Sequence, residues 1–422
     1  MDAIGIRERL VRSVAIYGDR RIVLIALMGF ASGLPLLLTL STLSYWLRSR
    51  GLDLTTIGIF AAVGLPYSLK FLWAPVIDQC PLPGLTRWLG QRRGWAIAIQ
   101  VPLMASIAGL GFTDPAADPW PSAILATLIG FFSASQDIVI DALRIELLED
   151  EEQGAGAAAT QGGYRIGLLV AGAGALLLSD HVEWSVVFLA LSVCMLVGVA
   201  AILMVKEPSD RQAVTSPGAF LKQGVVEPFR EFLFRPAALA ILVFVLLYKF
   251  GDAIGGTMAN PFYSDMGYSG TDIALVSKTA GLIATFAGIF AGGAMVRAIG
   301  LYPSLIAGGI LQAVTNLMFA WVATVGHDLT VLAAAVWSDN FTGGLGSAAF
   351  VAYLSVLCNR QFTATQYALL SAFMAFGRTL LSTPSGYLAQ VLGWFDFFVL
   401  TAFLAVPGLL LIAYLARRGP VR

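Results

Sequence analysis

The chain has 422 residues, of which 58% are hydrophobic and 12% charged, with a mean hydropathy of +0.79, whereas a soluble domain carries about 25% charged residues. That composition excludes an ordinary soluble enzyme and points to an all-α membrane protein. The formal net charge is zero and no long run of like charges occurs, so nothing suggests a nucleic-acid partner.

A basic segment from Arg7 to Arg21 leads into an apolar stretch of about 25 residues with no cleavage pattern, too long for a signal-peptide core, and this stretch is expected to be a retained helix. Apolar stretches able to span the bilayer are predicted at 22–47, 56–78, 95–113, 121–147, 156–179, 184–205, 237–261, 271–297, 302–324, 328–358, 364–390 and 395–416. Placing the N-terminus inside puts eighteen Lys and Arg in inside segments and only Arg48 and Arg50 in outside loops. Positive residues are retained on the cytoplasmic side, so both termini are expected there. The longest polar connection carries Pro208, Pro217 and Pro228, and it divides the chain into a six-helix unit over 1–205, a cytoplasmic linker over 206–236 and a second six-helix unit over 237–422.

The two units echo one another. Gly51-Leu-Asp-Leu-Thr-Thr-Ile57 follows the first stretch, and Gly267-Tyr-Ser-Gly-Thr-Asp-Ile273 follows the seventh, 216 residues later. Gln153 and Arg165 return as Gln366 and Arg378 at an offset of 213, twelve residues apart in both units. Parallel repeats with this helix count predict the major facilitator fold, in which two halves rock about a midplane site.

Charged side chains inside the bilayer are functional candidates by default, because insertion at the centre costs about 2.5–3.5 kcal/mol each. Lys70 and Asp137 fall at similar depth in the second and fourth stretches. Asp137, Asp141 and Arg144 share one helical face, with Gln136 beside it. Lys249 and Asp252 lie near the middle of the seventh stretch, and Asp339 and Asn340 near the middle of the tenth, beside Trp337. At an offset of 214 the second half has Val351, Ser355 and Cys358 in place of Asp137, Asp141 and Arg144, so the acidic face belongs to one half. Asp78, Arg92, Arg93, Arg144 and Glu146 are expected to form an ion-paired cytoplasmic gate. Asp141 divides between that gate and a proton-carrying role. Arg165 and Arg378, being repeated, are read as structural.

Three segments carry a more specific likeness. Ser32-Gly-Leu-Pro-Leu36, then Gly64-Leu-Pro-Tyr-Ser-Leu-Lys-Phe-Leu-Trp-Ala-Pro-Val-Ile-Asp78, then Ala134-Ser-Gln-Asp-Ile-Val-Ile-Asp-Ala142 with Arg144 resemble the AmpG muropeptide permease family. Phe362-Thr-Ala-Thr-Gln-Tyr-Ala-Leu-Leu-Ser371 is similar to its eleventh-helix region. The resemblance implies import of anhydro-muropeptides across a bacterial inner membrane for cell-wall recycling, driven by the proton gradient. Related branches carry acetyl-CoA or siderophores, and these remain alternative substrates.

A muropeptide offers hydroxyls and acetamides suited to Gln136, Gln312, Asn316 and Asn340, sugar faces suited to Trp337 or Tyr67, and carboxylates suited to Lys70 and Lys249, with Asp339 also near the site. Asp137, Asp252 and Asp141 are the candidate proton carriers, since low dielectric disfavours a charged carboxylate. No GxxxxGK[ST] sequence occurs, so ATP-driven transport is not expected. The only histidines, His181 and His327, fall in outside loops, and Cys80, Cys194 and Cys358 lack metal or redox spacing, so neither an enzyme nor a metal or other cofactor is expected. A monomer surrounded by lipid is expected, and a non-transporting sensor is the competing class.

Overall fold

The computed structural model describes residues 14–208 and 225–418, and each predicted apolar stretch is helical in it. Of the eighteen inside cations, Arg7, Arg9, Arg12, Arg211, Lys222 and Arg422 lie outside the described residues, as does Pro217 of the linker. In chain order, α1 is Arg20–Leu38 continued by Ser41–Ser49, α2 runs in short pieces from Leu54–Phe60 to Ala74–Gln79, α3 is Gln91–Leu110 and α4 is Pro119–Leu147. Next come α5, Gln153–Leu169 extended to Ala175–Ser179, and α6, Trp184–Cys194 with Leu196–Met204. The second half begins with α7, from Ala238–Leu247 through Phe250–Thr257 to Ala259–Asp265, and α8, from Gly270–Ile273 to Gly281–Ile299. It continues with α9 (Leu301–Val325), α10 (Leu329–Leu357) and α11, which starts as Thr363–Ser382. The run Ser385–Phe403 is divided at Gly393 (φ 76°, ψ 165°), where α11 ends and α12 begins, the latter finishing as Val406–Arg417.

Ten helical runs among the described residues are long and apolar enough to cross a membrane. The difference from twelve has local causes. Pro66 and Pro75 sit at the starts of new pieces of α2, where the missing N–H breaks the ladder. The Thr363–Ser382 piece of α11, which carries Thr363, Thr365, Gln366 and Arg378, is not among the ten, and the end of α11 is counted together with α12.

The sequence echoes are capping devices. Gly51 and Gly267 close the preceding helices at φ 90° and 80°. Asp53 then accepts from the Thr56 backbone N–H at 3.0 Å, while Ser269 accepts from the Asp272 N–H at 3.1 Å and its own N–H donates to Asp272 at 2.9 Å. The capping partners occupy matching positions with the acidic residue exchanged between them. Gln153 donates to the carbonyls of Ile145 and Leu148, and Gln366 accepts from the Asn359 N–H, so both glutamines reach back to the end of the preceding helix.

Close packing within each half depends on glycine. A Cβ on Gly163 of α5 would run into the Ala26 carbonyl of α1, and one on Gly33 of α1 into the Tyr164 carbonyl. In the second half Gly288 and Gly292 of α8 lie against the carbonyls of Phe341 and Leu345 of α10. In lipid, where helices gain nothing hydrophobic by associating, such approach supplies the packing energy.

The apolar clusters fix how the halves meet. Ala364 and Ala368 of α11 pack with Ile77, Ile138 and Val139. Ile145 and Ala157 pack with Phe350 and Tyr353, and Ala158 with Ile289 and Ala348. At the opposite end the cluster around Trp46, Leu110 and Phe188 draws its buried members from the first half alone, and that around Phe262, Phe319 and Phe397 from the second alone. The halves are therefore joined at the end bearing Arg20, Lys206 and Arg417, and a cleft opens toward the other end.

Replacing Gly163 by Val should cost about 1–3 kcal/mol through overpacking, read as a lowered melting temperature of the purified protein in detergent. Gly386→Ala, where a Cβ meets nothing within 4 Å, should leave melting unchanged.

Candidate functional site

The closed end is built on Asp78 at the last turn of α2. Its Oδ1 lies 2.6 Å from Arg92 at the first turn of α3, and Arg92 also reaches Glu146 of α4 at 2.7 Å. The other oxygen, Oδ2, accepts from the backbone N–H and the hydroxyl of Thr365 at 3.1 and 3.0 Å. One carboxylate thus bonds to its own half and caps α11 of the other. Glu207, after α6, accepts from the backbone N–H groups of Arg92 and Arg93, and burial pushes its carboxyl above the usual range. Arg93 donates to the carbonyls of Ile202 and Leu203. Tyr17 to Phe290, Gln79 to Gln361, and Arg360 to the Leu148 carbonyl and the Glu149 carboxylate are further polar contacts between the halves.

Arg144 departs from the expected gate. It is fully buried, lies 3.5 Å from Asp141 and stands over the Tyr367 ring of the other half at 5.3 Å. None of its three guanidinium nitrogens has a hydrogen-bond partner. It forms a separate contact between α4 and α11, two residues before Glu146 of the Asp78 network.

Further toward the open cleft, Asp137 accepts a hydrogen bond from the Ser32 hydroxyl of α1. Lys70 of α2 is within electrostatic reach of both Asp137 and Asp141, yet among the described residues it makes no ion pair or hydrogen bond with either. The hydroxyl of Tyr67 sits beside Ser133 and Thr39, and Tyr164 of α5 faces Asp137 and Asp141. Two acidic groups, one lysine and several hydroxyls therefore lie close together in the half-buried interior of the first half. The corresponding positions of α10 are inert: Ser355 and Cys358 bond only to the helix's own carbonyls.

The second half places its charges between α7, α9 and α10. Lys249 lies 3.0 Å from Asp252 and 3.1 Å from Gln312 Oε1, and it donates to the Gly343 carbonyl at 3.4 Å. Gln312 and Thr315 in turn donate to Asp339 at 3.4 and 3.3 Å. Lys249 and Asp252 keep side-chain exposures of 20% and 23%, so the network touches solvent at its rim.

Several candidates read as ligand contacts tie helices together instead. Gln136 is fully buried and donates to the Ala31 carbonyl of α1. Asn340 accepts from Thr285 of α8 at 3.0 Å. Asn316 is buried beneath Gly251 and Gly255 of α7, and Gln312 stands behind Lys249. Trp337 is 45% exposed and stacks on Phe341 with centroids 5.4 Å apart. These two aromatics share a helical face with Ala348, which packs against the first half, so they line the cleft wall. Ser32, Tyr164, Thr315 and Thr365 were missed. Ser32 and Thr365 lie inside the family-like segments Ser32–Leu36 and Phe362–Ser371, whereas the hydroxyls of Tyr164 and Thr315 carry no sequence signal and depend on the packing alone. Among the described residues no group of three or more His, Cys, Asp or Glu is placed to hold a metal ion.

The sequence profile of the Major Facilitator Superfamily matches residues 23–362. The chain is 40% identical over 399 residues to the anhydromuropeptide permease of Escherichia coli (strain K12), covering 94% of this chain and 80% of that one. It is 36% identical over 408 residues to putative transporter AmpG 4 of Rickettsia felis, covering 96% and 98%. The chain belongs to the AmpG-like permeases of the major facilitator superfamily. Solved structures agree on the fold: the Escherichia coli fucose:proton symporter FucP gives a TM-score of 0.69 at 12% identity over 95% of this chain and 99% of that one. The proton:xylose symporter XylE gives 0.65 at 13% identity over 96% and 95%. The protein is thus a multi-pass membrane transporter and not an enzyme.

For this permease, Asp78→Asn should weaken the cap on α11 by about 1–2 kcal/mol, shifting the closed-to-open ratio at this end about five- to thirtyfold. Cysteines introduced at Gln79 and Gln361, in a background without the three native cysteines, should cross-link less readily in that variant. An unchanged yield would show that Asp78 does not hold the halves together.

Proposed function

We propose that this permease imports anhydro-muropeptides, N-acetylglucosaminyl-anhydro-N-acetylmuramyl peptides, across the bacterial inner membrane for cell-wall recycling, by proton-coupled alternating access. The observation that carries the substrate is the 40% identity over 94% of the chain to a protein named for that transport. Eighteen inside cations against two support cytoplasmic termini, and hence a cleft open to the periplasm, the side from which such a substrate arrives. In this reading the halves over 1–205 and 237–422 rock about the linker over 206–236 as a monomer. The ligand settles between Trp337 and the pocket wall of Lys70 and Tyr67, and the gate around Asp78 opens after a proton is taken up.

Asp137 is the proposed proton carrier, with Asp141 and Asp252 next in line. It sits at mid-membrane on the cleft side of its helix, and its hydrogen bond from Ser32 and the nearby charge of Lys70 hold it where protonation state and ligand charge influence each other. Loss of the carboxylate charge on protonation would free Lys70 from its field and loosen the wall of the cleft.

Uptake of labelled anhydro-muropeptide into proteoliposomes, with and without an inward proton gradient, tests both parts. Gradient-stimulated accumulation is expected in the wild type, and Asp137→Asn should remove the stimulation while preserving gradient-independent exchange. Uptake of acetyl-CoA or a siderophore alone would sink the proposed substrate, and unchanged stimulation in Asp137→Asn would move the proton elsewhere.

A further inference from the structure

We propose that Arg165 and Arg378 form a paired anion-binding site in the cleft, one arginine from each half, which engages the carboxylates of the transported glycopeptide. The inference rests on the proposed substrate and names the part of the ligand that these residues read.

Each arginine lies twelve residues beyond the glutamine that caps its half, Gln153 or Gln366, and therefore about 18 Å along the helix, near the middle of a hydrocarbon core about 30 Å thick. Both point toward the cleft. On α5, Gly154, Ala158, Gln161 and Arg165 follow i, i+4, i+7, i+11 spacing and share one face. Gly154 of that face meets Val296 of α8, and Ala158 packs with Ile289 and Ala348. Arg165 continues this line past the point where the halves part. On α11, Ala364, Ser371 and Arg378 follow i, i+7, i+14 spacing, and Tyr367 lies beside them. Ala364 packs on the first half and Tyr367 sits under Arg144, so Arg378 extends that inter-half face into the open end, where it is exposed.

Among the described residues neither guanidinium has an ion-pair or hydrogen-bond partner. Three other cations within the helices have acidic neighbours: Lys249 is held by Asp252 and Gln312, and Arg144 lies beside Asp141 and over Tyr367, with Lys70 facing two carboxylates. A guanidinium without a counterion is costly at this depth and is the side chain best shaped to take a carboxylate through two parallel hydrogen bonds. The sequence repetition that suggested scaffolding is better explained by function, since a scaffold residue has partners within the protein. A ligand bearing carboxylates bridges the two halves through these arginines, which gives the transporter a reason to close on it.

The test compares uptake of a disaccharide peptide with free carboxylates against the same molecule with those groups converted to carboxamides. The wild type should prefer the acid form. In the R165Q/R378Q double variant the KM for the acid form should rise about ten- to a hundredfold and become equal to that of the amide form, whose uptake is the same in wild type and variant. R165K/R378K should retain part of the preference, and it carries the comparison if the glutamine variant fails to accumulate. An undiminished acid preference in the folded variants overturns this site while leaving the proposed transport intact. A wild type that takes up neither form overturns the proposed substrate and the ligand named here with it.

Discussion

One oxygen of Asp78 lies 2.6 Å from Arg92 while the other accepts from the N–H and hydroxyl of Thr365, so a single carboxylate joins α2 and α3 to the first turn of α11. The two bonds differ in strength, and the difference is useful. Stripping one partner from a buried ion pair costs about 3–5 kcal/mol, which keeps Asp78, Arg92 and Glu146 together within their half through any motion. Capping a helix contributes about 1 kcal/mol, with a further helix-dipole contribution of similar size. In the proposed alternating-access cycle, that contact is the one that breaks and re-forms. The seam follows the weaker bond, and in the proposed cycle the apolar clusters of the closed end, centred on Ala158, Ala364 and Ile145, part along the same line.

Either side of that seam, the halves use charge differently. In the first, Asp137 and Asp141 face Lys70 and hydroxyls without a direct ion pair to the lysine, leaving groups whose charge can change. In the second, Lys249 is held by Asp252, Gln312 and a backbone carbonyl, and Asp339 by Thr315 and Gln312. A lysine with three partners has its position fixed, so the second-half network stiffens the packing of α7, α9 and α10 while showing only its rim to the cleft. The loss of Asp137 and Asp141 from the matching positions of α10, where Val351 and Ser355 stand, follows from this division.

Helix number, the repeated segments and the ion pairs of Arg92 with Asp78 and Glu146 were legible because each depends on local sequence: apolar length, a recurring Gly-led motif, an acid at one helix end and arginines at the next helix start. The capping role of the repeats shows only in the structure. The polar contacts within the bilayer were legible only as a set. Gln136 and Asp137 are adjacent, yet one ties α4 to α1 and the other borders the cleft. A turn of 100° between neighbours decides the role, and the rotation of α4 is set by contacts such as Gly130 against the Val63 carbonyl of α2 and Gln136 on the Ala31 carbonyl of α1. Asn340 and Asp339 divide in the same way, toward α8 and α9. Arg144 was grouped with the gate by proximity in sequence, but two residues of helix carry it onto a different face from Glu146.

Repetition between the halves supplies a sharper criterion once partners are known. Gln153 and Gln366 repeat and bond to their own helix ends, and Gly51 and Gly267 repeat and close the preceding helices. These repeats are accounted for inside the protein, as expected of scaffolding. Arg165 and Arg378 repeat at equal distances from those same glutamines, face the opposing half, and have no partner among the described residues. A duplicated fold preserves its scaffold in both copies. It also preserves whatever must act from both walls of the cleft at once, and a charge left without a counterion at mid-membrane belongs to the second kind, because its counterion arrives with the ligand.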